Sequence, residues 1–237
     1  MVEVRSGYWV SEGWSLIKPY LGTHILIALV AGLLSSVTIG ILSGPLACGW
    51  FMILLRQRRD PSYAPQFADL WKGFEVFGQA FVAWLLIAIV VGIAGALVGV
   101  VAAVVSAIPI IGQLLAPLTG AVMAICATAI LVFVFPLIAD RRADAVEAIK
   151  RSAETTTPEF IPFAGFALIL YVLNAIGGAL CGLGLLITGP IMAAAVAVSY
   201  EDALGGSAAS GEAAELAPQM PEAPEPVERP ESDDDAL

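Results

Sequence analysis

The chain has 237 residues, of which 59% are hydrophobic and 14% are charged. Soluble domains are about 45–50% apolar and about 25% charged, so this composition excludes an ordinary water-soluble enzyme and indicates an integral membrane protein. The formal net charge of -10 lies entirely in residues 201–237, which hold eleven acids and one base, so the body of the chain offers no basic surface to a nucleic-acid partner.

Residues 1–20 are predicted to form a cytoplasmic or interfacial helix ahead of the first span. Its aromatic side chains Trp9, Trp14 and Tyr20 suit the headgroup layer of a membrane. Acidic residues interrupt the stretch, which therefore lacks the form of a cleaved signal peptide. The first span is accordingly expected to act as an uncleaved anchor.

Three long uncharged runs, at 19–55, 76–139 and 160–200, are the candidate membrane segments. A hydrocarbon core of about 30 Å needs about 20 helical residues, so each run exceeds one crossing. Glycine and proline cluster near the middle of each run, at 40–45, 106–117 and 177–184. Because these residues favour turns, each run is predicted to be a hairpin of helices.

The predicted fold is all-α: a polytopic transmembrane helical bundle of about six spans in three hairpins, joined by interfacial amphipathic connector helices. The spans, which together form a transmembrane domain at 21–202, are predicted at 21–42, 45–58, 77–105, 113–138, 160–179 and 183–200. The second is the shortest, since its uncharged part covers only about 16 Å. It either uses Arg56 to Arg59 as snorkelling ends, lies tilted or is re-entrant.

The distribution of lysine and arginine predicts the orientation of the bundle. With six crossings, all eleven basic residues fall on one side of the membrane, and the positive-inside rule makes that side cytoplasmic. Both termini are then cytoplasmic. A five-span arrangement, with 19–55 as one kinked helix, would place Arg5 and Lys18 on the opposite side, so the charges favour six spans.

Two further connectors are predicted to be amphipathic helices at the interface. The first has an apolar stripe at helical spacing, formed by Phe67, Leu70, Trp71, Phe74 and Phe77. The second, at 140–154, is expected to place on one side Ala143, Val146, Ile149 and Ala153. Within it, Glu147 and Arg151 have the spacing of an i, i+4 ion pair.

Residues 203–237 consist mainly of alanine, glutamate, proline, serine and aspartate. Such a composition cannot bury a core, so an acidic, proline-rich, disordered cytoplasmic tail is predicted. Two interpretations stay open: a solvated spacer, or a segment that docks a protein partner.

Apart from Arg56 and Arg58 at the end of the second, the six predicted spans contain no aspartate, glutamate, lysine or arginine, which weighs against a proton- or sodium-coupled carrier. No hydrolase, protease, ATPase or redox motif occurs, so no catalytic, cofactor-binding or metal-binding residue is predicted and no cofactor is expected. His24 is expected to be an interfacial histidine. Asn174 is the candidate intramembrane polar contact, either as a hydrogen bond between helices or as a substrate ligand.

The basic residues of the connectors are candidate contacts for lipid headgroups, each worth about 1 kcal/mol near an anionic surface. They are Arg56, Arg58, Arg59, Arg141, Arg142, Lys150 and Arg151. The alternative is that these residues only fix the topology.

Short motifs along the chain carry a resemblance to a known family. The first are Ser-Gly-Pro-Leu at 43–46 and Asp-Leu-Trp-Lys-Gly-Phe-Glu at 69–75. They are followed by Phe-Pro-Leu-Ile-Ala-Asp at 135–140, which leads into Ala-Val-Glu-Ala-Ile-Lys-Arg-Ser, by Gly-Pro at 189–190 and by Tyr-Glu-Asp at 200–202. On these motifs, residues 8–202 resemble a family of bacterial multi-spanning integral membrane proteins of unknown function. The resemblance implies a helical bundle in the bacterial cytoplasmic (inner) membrane without an assigned activity.

These observations lead to two functional hypotheses. The first is a non-catalytic integral inner-membrane protein that acts through contacts with membrane lipids, or with a protein partner through its acidic tail. The alternative is a passive channel or carrier for a small neutral solute, because helices interrupted by glycine and proline often line transport sites. The oligomeric state is left open.

Overall fold

A computed structural model describes residues 4–105, 109–179 and 182–205. Every regular element in these ranges is helical, which confirms the predicted all-α bundle. The α-helices are α1 Ser6–Ile17, α2 Leu21–Val37, α3 Ser43–Arg59, α4 Phe77–Val105, α5 Pro109–Leu131, α6 Val134–Ala139, α7 Ala145–Thr156, α8 Phe160–Ala179 and α9 Leu185–Tyr200. Shorter helical turns cover Lys18–Tyr20, Phe67–Val76 and Glu201–Gly205. The predicted tail lies outside the described residues from 206 onward.

Within the described residues, five helical segments are long and apolar enough to cross a membrane: Ser6–Val37, Phe67–Val100, Pro117–Ala139, Phe160–Ala179 and Leu185–Gly205. The chain is therefore a multi-pass membrane protein. Helix α3, the predicted second span, is not one of the five. Its 17 residues cover about 25 Å, and three arginines occupy its last turn.

Hydrogen bonds between helix ends show the relative directions of some of the helices. Gln57, near the end of α3, donates to the carbonyl of Leu16 just ahead of α2, at 2.5 Å. Tyr200, at the end of α9, donates to Asp140, which follows α6, at 3.0 Å. Helices α2 and α3 therefore run in opposite directions, and α6 and α9 end on the same side of the bundle. Positive φ angles at Ile39 and Gly40 form the first turn.

Six ion pairs gather where α3, α6 and α9 end, and we call their residues the charged end. Arg59 lies 2.6 Å from both Asp140 and Glu201. The other four pairs are Arg142–Asp140, Arg5–Asp202, Arg58–Glu12 and Arg141–Glu75. Basic residues from the beginning and the middle of the chain therefore share one end of the bundle.

Helix α1 is docked into the bundle along α9. The Trp9 side chain is fully buried, packs edge-on against Phe166 at 5.0 Å between ring centroids, and donates from Nε1 to Asp202 at 2.8 Å. A Cβ on Gly13 would lie 2.7 Å from the backbone nitrogen of Ala195. The expectation that Trp9 belongs to the headgroup layer is therefore wrong, because its indole N–H has a carboxylate partner inside the protein.

The predicted fourth span is two helices, α5 and α6, because Pro136 has no N–H and its ring would overlap the carbonyl of residue 132 in a continuous helix. This break determines how α7 packs. Ser152 Oγ donates to the carbonyl of Ile130 at 2.7 Å and accepts from the backbone N–H of Phe133 at 3.2 Å. The buried face of α7 is therefore Ala145, Ala148, Ser152 and Thr156.

The predicted apolar face of α7 is thus displaced by about one residue, and Val146, which was placed on it, is 64% exposed. The predicted pair of Glu147 and Arg151 is confirmed at 2.6 Å. In the outer turn predicted at 106–117, residues 106–108 lie outside the described part of the chain. Pro117 lies inside α5, so that turn is shorter than predicted.

The connector at Phe67–Val76 is a 3₁₀ helix that packs along α3. Leu70 is fully buried and Trp71 is 45% exposed, so the predicted amphipathic character is present. Gly49 and Gly73 allow the close approach, since a Cβ on either glycine would overlap the backbone of the other segment.

Candidate functional site

Five helices form a closed ring in which each contacts the next: α3, α4, α5, α8, α9 and again α3. Residues of all five helices line a largely open cavity of about 590 Å³, which we call the ring cavity. Phe135 and Val132, from the break between α5 and α6, contribute to its lining. Its volume lies within the range of about 300–1,000 Å³ that is typical of small-molecule sites.

The lining of the ring cavity is almost entirely hydrocarbon. Each helix of the ring contributes apolar side chains, among them Phe51, Ile87, Leu131, Leu170 and Met192. Among the described residues that line it, Thr128 alone has a side-chain hydroxyl. A surface of this kind binds apolar groups by excluding them from water and supplies no group for acid–base chemistry.

A second cavity of about 350 Å³ lies between α2, α3, α8 and α9, and we call it the polar cavity. Ser35, Ser43 and Asn174 line it. Ser35 and Ser43 are half-buried and Asn174 is exposed. Their hydroxyl and amide groups can therefore be reached by a polar ligand group or by water.

The two cavities share four lining residues: Ala47, Trp50, Gly189 and Met192. Gly189 borders open space, since a Cβ built on it would meet no atom within 4 Å. Pro190 follows it inside α9 and removes one backbone hydrogen bond from the helix at this level.

Trp50, in the shared wall, is held by a chain of hydrogen bonds. Its Nε1 donates to His24 Nδ1 at 3.3 Å, and His24 Nε2 contacts Gln57 Oε1 at 3.1 Å. Because Nδ1 accepts, the proton of a neutral imidazole must be on Nε2, where it is donated to Gln57. The expectation of an interfacial His24 is wrong, because the side chain is fully buried with both nitrogens bonded.

Six of the seven predicted headgroup residues have a carboxylate partner within the chain. Arg58, Arg59, Arg141 and Arg142 belong to the charged end, and Lys150 and Arg151 pair with acids one turn away on α7. Their contact with lipid stays a prediction, and any such contact must compete with these pairs.

Arg56 differs from the other six, because its guanidinium lies over the ring of Tyr63 at 4.4 Å from the centroid. The Tyr63 hydroxyl in turn donates to Asp69. Burial, and secondly this bond to a carboxylate, raise the pKa of Tyr63 above its ordinary value. Arg56 is thus the predicted headgroup residue with the fewest competing contacts among the described residues.

A search of the described residues finds no cluster of three histidine, cysteine, aspartate or glutamate side chains able to hold a metal ion. The two cavities and Arg56 are the features on which the functional argument rests. Asn174, predicted from the sequence, lies in the polar cavity, and the predicted basic residues lie apart from it on the charged end or on α7.

The fold and the two cavities define a multi-pass helical membrane protein with an open apolar cavity between its helices. Comparison does not take the assignment further: the chain matches no protein-family model, no curated protein and no solved structure.

Sequence reasoning missed most residues of this site. Trp50, Met192 and Ala47 are ordinary apolar residues of predicted spans, and nothing in their spacing distinguishes them from other core positions. Gly189 and Pro190 did leave a signal, since a Gly-Pro pair inside an apolar run predicts an interrupted helix. The hydrogen bond between His24 and Gln57 could have been proposed from the sequence, because both are polar residues within predicted spans.

Proposed function

We propose that this chain is a non-catalytic integral membrane protein that acts through contacts with membrane lipid. The observation that carries the proposal is the separation of its surfaces. The charged groups bind one another at one end, whereas the helices elsewhere expose large apolar side chains such as Val37 at 80% and Ile161 at 82%. Apolar surface and an apolar cavity are therefore what the described chain offers to a partner.

We further propose a bacterial cytoplasmic membrane as the location, with the charged end and both termini on the cytoplasmic side. The positive-inside rule supports this orientation, because the basic residues gather at one end of the bundle. The resemblance to bacterial multi-spanning proteins supports the location. The acidic tail remains a proposed docking segment for a protein partner on the same side.

Lipid titration of the purified full chain tests the proposal. The delipidated protein is held in amphipol, and phosphatidylglycerol or phosphatidylethanolamine is added while the unfolding midpoint is followed. A ligand that binds the native state raises the midpoint as its concentration increases. We expect a rise with both lipids, larger for the anionic one, and an unchanged midpoint with either lipid would refute the proposal.

A matched pair of variants addresses the headgroup contact. Arg56→Gln removes the one predicted headgroup residue that lacks a carboxylate partner among the described residues, and Arg151→Gln removes one that is paired with Glu147. We expect Arg56→Gln to reduce the preference for phosphatidylglycerol and Arg151→Gln to leave it nearly unchanged. Equal effects would mean that Arg56 has no special part in lipid binding.

A second candidate function is a passive carrier or channel for a small neutral solute. The polar cavity favours it, because Ser35, Ser43 and Asn174 offer uncharged hydrogen-bonding groups beside an interrupted helix. Flux of small neutral solutes into proteoliposomes, compared with an Asn174→Leu variant, tests it. Equal flux through the two proteins, or none above empty liposomes, would count against a carrier.

A further inference from the structure

We infer that the two cavities together bind one neutral amphiphile, with its hydrocarbon chain in the ring cavity and its uncharged polar head in the polar cavity. This inference rests on the proposed lipid-contact function and names the class of molecule that is bound. It depends on three features: the chemistry of each cavity, the absence of charge beside the polar groups, and the shared wall at Gly189.

The ring cavity fits a hydrocarbon chain. Its volume of about 590 Å³ is bounded by aliphatic and aromatic side chains, with Thr128 as the lone hydroxyl among the described lining residues. Four of its five helices are candidate membrane spans, so the molecules that surround it are themselves hydrocarbon chains. A hydrocarbon chain from the bilayer gains dispersion contacts along this lining.

The polar cavity fits a head that donates and accepts hydrogen bonds but carries no charge. Ser35 and Ser43 can each donate and accept, and the Asn174 amide provides two donors and one acceptor. Ser35 and Ser43 are half-buried and Asn174 is exposed, so all three can reach a bound head. The described lining residues include no lysine, arginine, aspartate or glutamate, so a phosphate or an ammonium head would lie there without a counter-charge.

The shared wall allows one molecule to occupy both cavities. Ala47 and Gly189 leave little side-chain bulk between them, and space beside Gly189 is free on the structure's own geometry. Met192, the flexible neighbour of Gly189 in the wall, can change rotamer to accommodate a chain. Trp50 is fixed by His24 and therefore provides a rigid face.

The first test concerns the chain. The full protein, delipidated and transferred to amphipol, is titrated with monooleoylglycerol by native mass spectrometry. Gly189→Leu places a side chain in the wall and displaces at least two methylenes of the ligand, which corresponds to about tenfold weaker binding. Gly165→Leu is the matched control, because Gly165 lies exposed on α8 and a Cβ there also meets no atom within 4 Å.

The second test concerns the head. Asn174→Leu should weaken monooleoylglycerol binding by about threefold to tenfold, the value of one or two hydrogen bonds, and leave binding of 1-octadecene unchanged. The octadecene titration also shows that the variant is folded. Oleoyl lysophosphatidylglycerol, with the same chain and an anionic head, should bind the natural protein more weakly than monooleoylglycerol.

Three outcomes would overturn the inference: equal binding by the Gly189→Leu and Gly165→Leu variants, an Asn174→Leu variant that binds monooleoylglycerol normally, or tighter binding of the lysophospholipid. If monooleoylglycerol fails to bind while phospholipid still raises the unfolding midpoint, this inference is refuted and the proposed function stands. If no lipid of any kind affects the protein, both are refuted.

Discussion

The docking of α1 on α9 gives a sharp prediction for Gly13→Ala. In the native protein a Cβ at this position would lie 2.7 Å from the Ala195 nitrogen and 3.0 Å from the Ala194 carbonyl carbon. Non-bonded heavy atoms are comfortable at about 3.5–4.0 Å, so α1 must withdraw from α9 by roughly 1 Å. Both contacts are with backbone, which cannot rotate away as a side chain can.

The expected cost follows from two opposing effects. Overpacking of a well-packed contact typically costs about 1–3 kcal/mol, whereas alanine favours the helix over glycine by up to about 1 kcal/mol. Gly7→Ala is the control in the same helix, since a Cβ on Gly7 meets no atom within 4 Å. We expect the unfolding free energies of the two variants to differ by about 1–3 kcal/mol, with Gly13→Ala the less stable.

The measurement is reversible unfolding in mixed micelles, followed by circular dichroism and by tryptophan emission. Emission should shift to the red in Gly13→Ala before the helix content falls, because Trp9 is buried only while α1 is docked. If Gly13→Ala is as stable as Gly7→Ala and its emission is unchanged, the close packing of α1 on α9 is incorrect.

Three further predictions concern other contacts. Ser152→Ala should destabilise the protein by about 1–3 kcal/mol, because it removes the partner of the Phe133 N–H and leaves the Ile130 carbonyl with only the longer bond from Thr156 Oγ1 at 3.5 Å. Thr155→Ala loses a bond only within its own exposed turn and should change the unfolding free energy by less than about 0.5 kcal/mol. Similar losses in the two variants would contradict this account of α7. Arg59→Gln should lower the unfolding midpoint more than Lys150→Gln. Arg59 joins two acids from different elements, whereas the Lys150 pair is exposed on one helix. The reverse order would show that the ion pairs of the charged end do not stabilise the fold. The phenolate absorbance that is lost in Tyr63→Phe should appear only above about pH 10, the ordinary tyrosine pKa. The raised pKa of Tyr63 means that the fold favours the neutral phenol. The contribution of this phenol to the free energy of unfolding should therefore be complete below about pH 10. It should be lost as the pH rises through the pKa of Tyr63 in the folded protein.

The sequence could predict the large-scale features of the fold because lipid imposes a simple rule. A crossing must be helical and about 20 residues long, so uncharged length was enough to predict an all-α, multi-pass bundle, although the predicted second span is not among the five helices long and apolar enough to cross. The cost of a basic residue within hydrocarbon keeps these residues outside the spans, and the positive-inside rule predicts that they gather at one end.

Details that depend on contacts between distant segments could not be predicted. The buried face of α7 is decided by a carbonyl that the α5–α6 break leaves free, and helical periodicity alone cannot reveal it. The burial of Trp9 likewise depends on Asp202, about two hundred residues later. The cavities are spaces between helices, so no local pattern encodes them; only Asn174 and the Gly-Pro pair at 189–190 marked their location.

The contact between α1 and α9 joins the first helix of the bundle to the last, with Arg5 and Asp202 separated by 197 positions. At a synthesis rate of about 5–20 residues per second, the first helix must wait roughly 10–40 s for its partner to emerge. During that interval the indole of Trp9 and the α1 surface at Gly13 are not yet buried, so a chaperone or the lipid surface can contact them. Completion of the bundle is therefore a late event that follows insertion of the preceding hairpins.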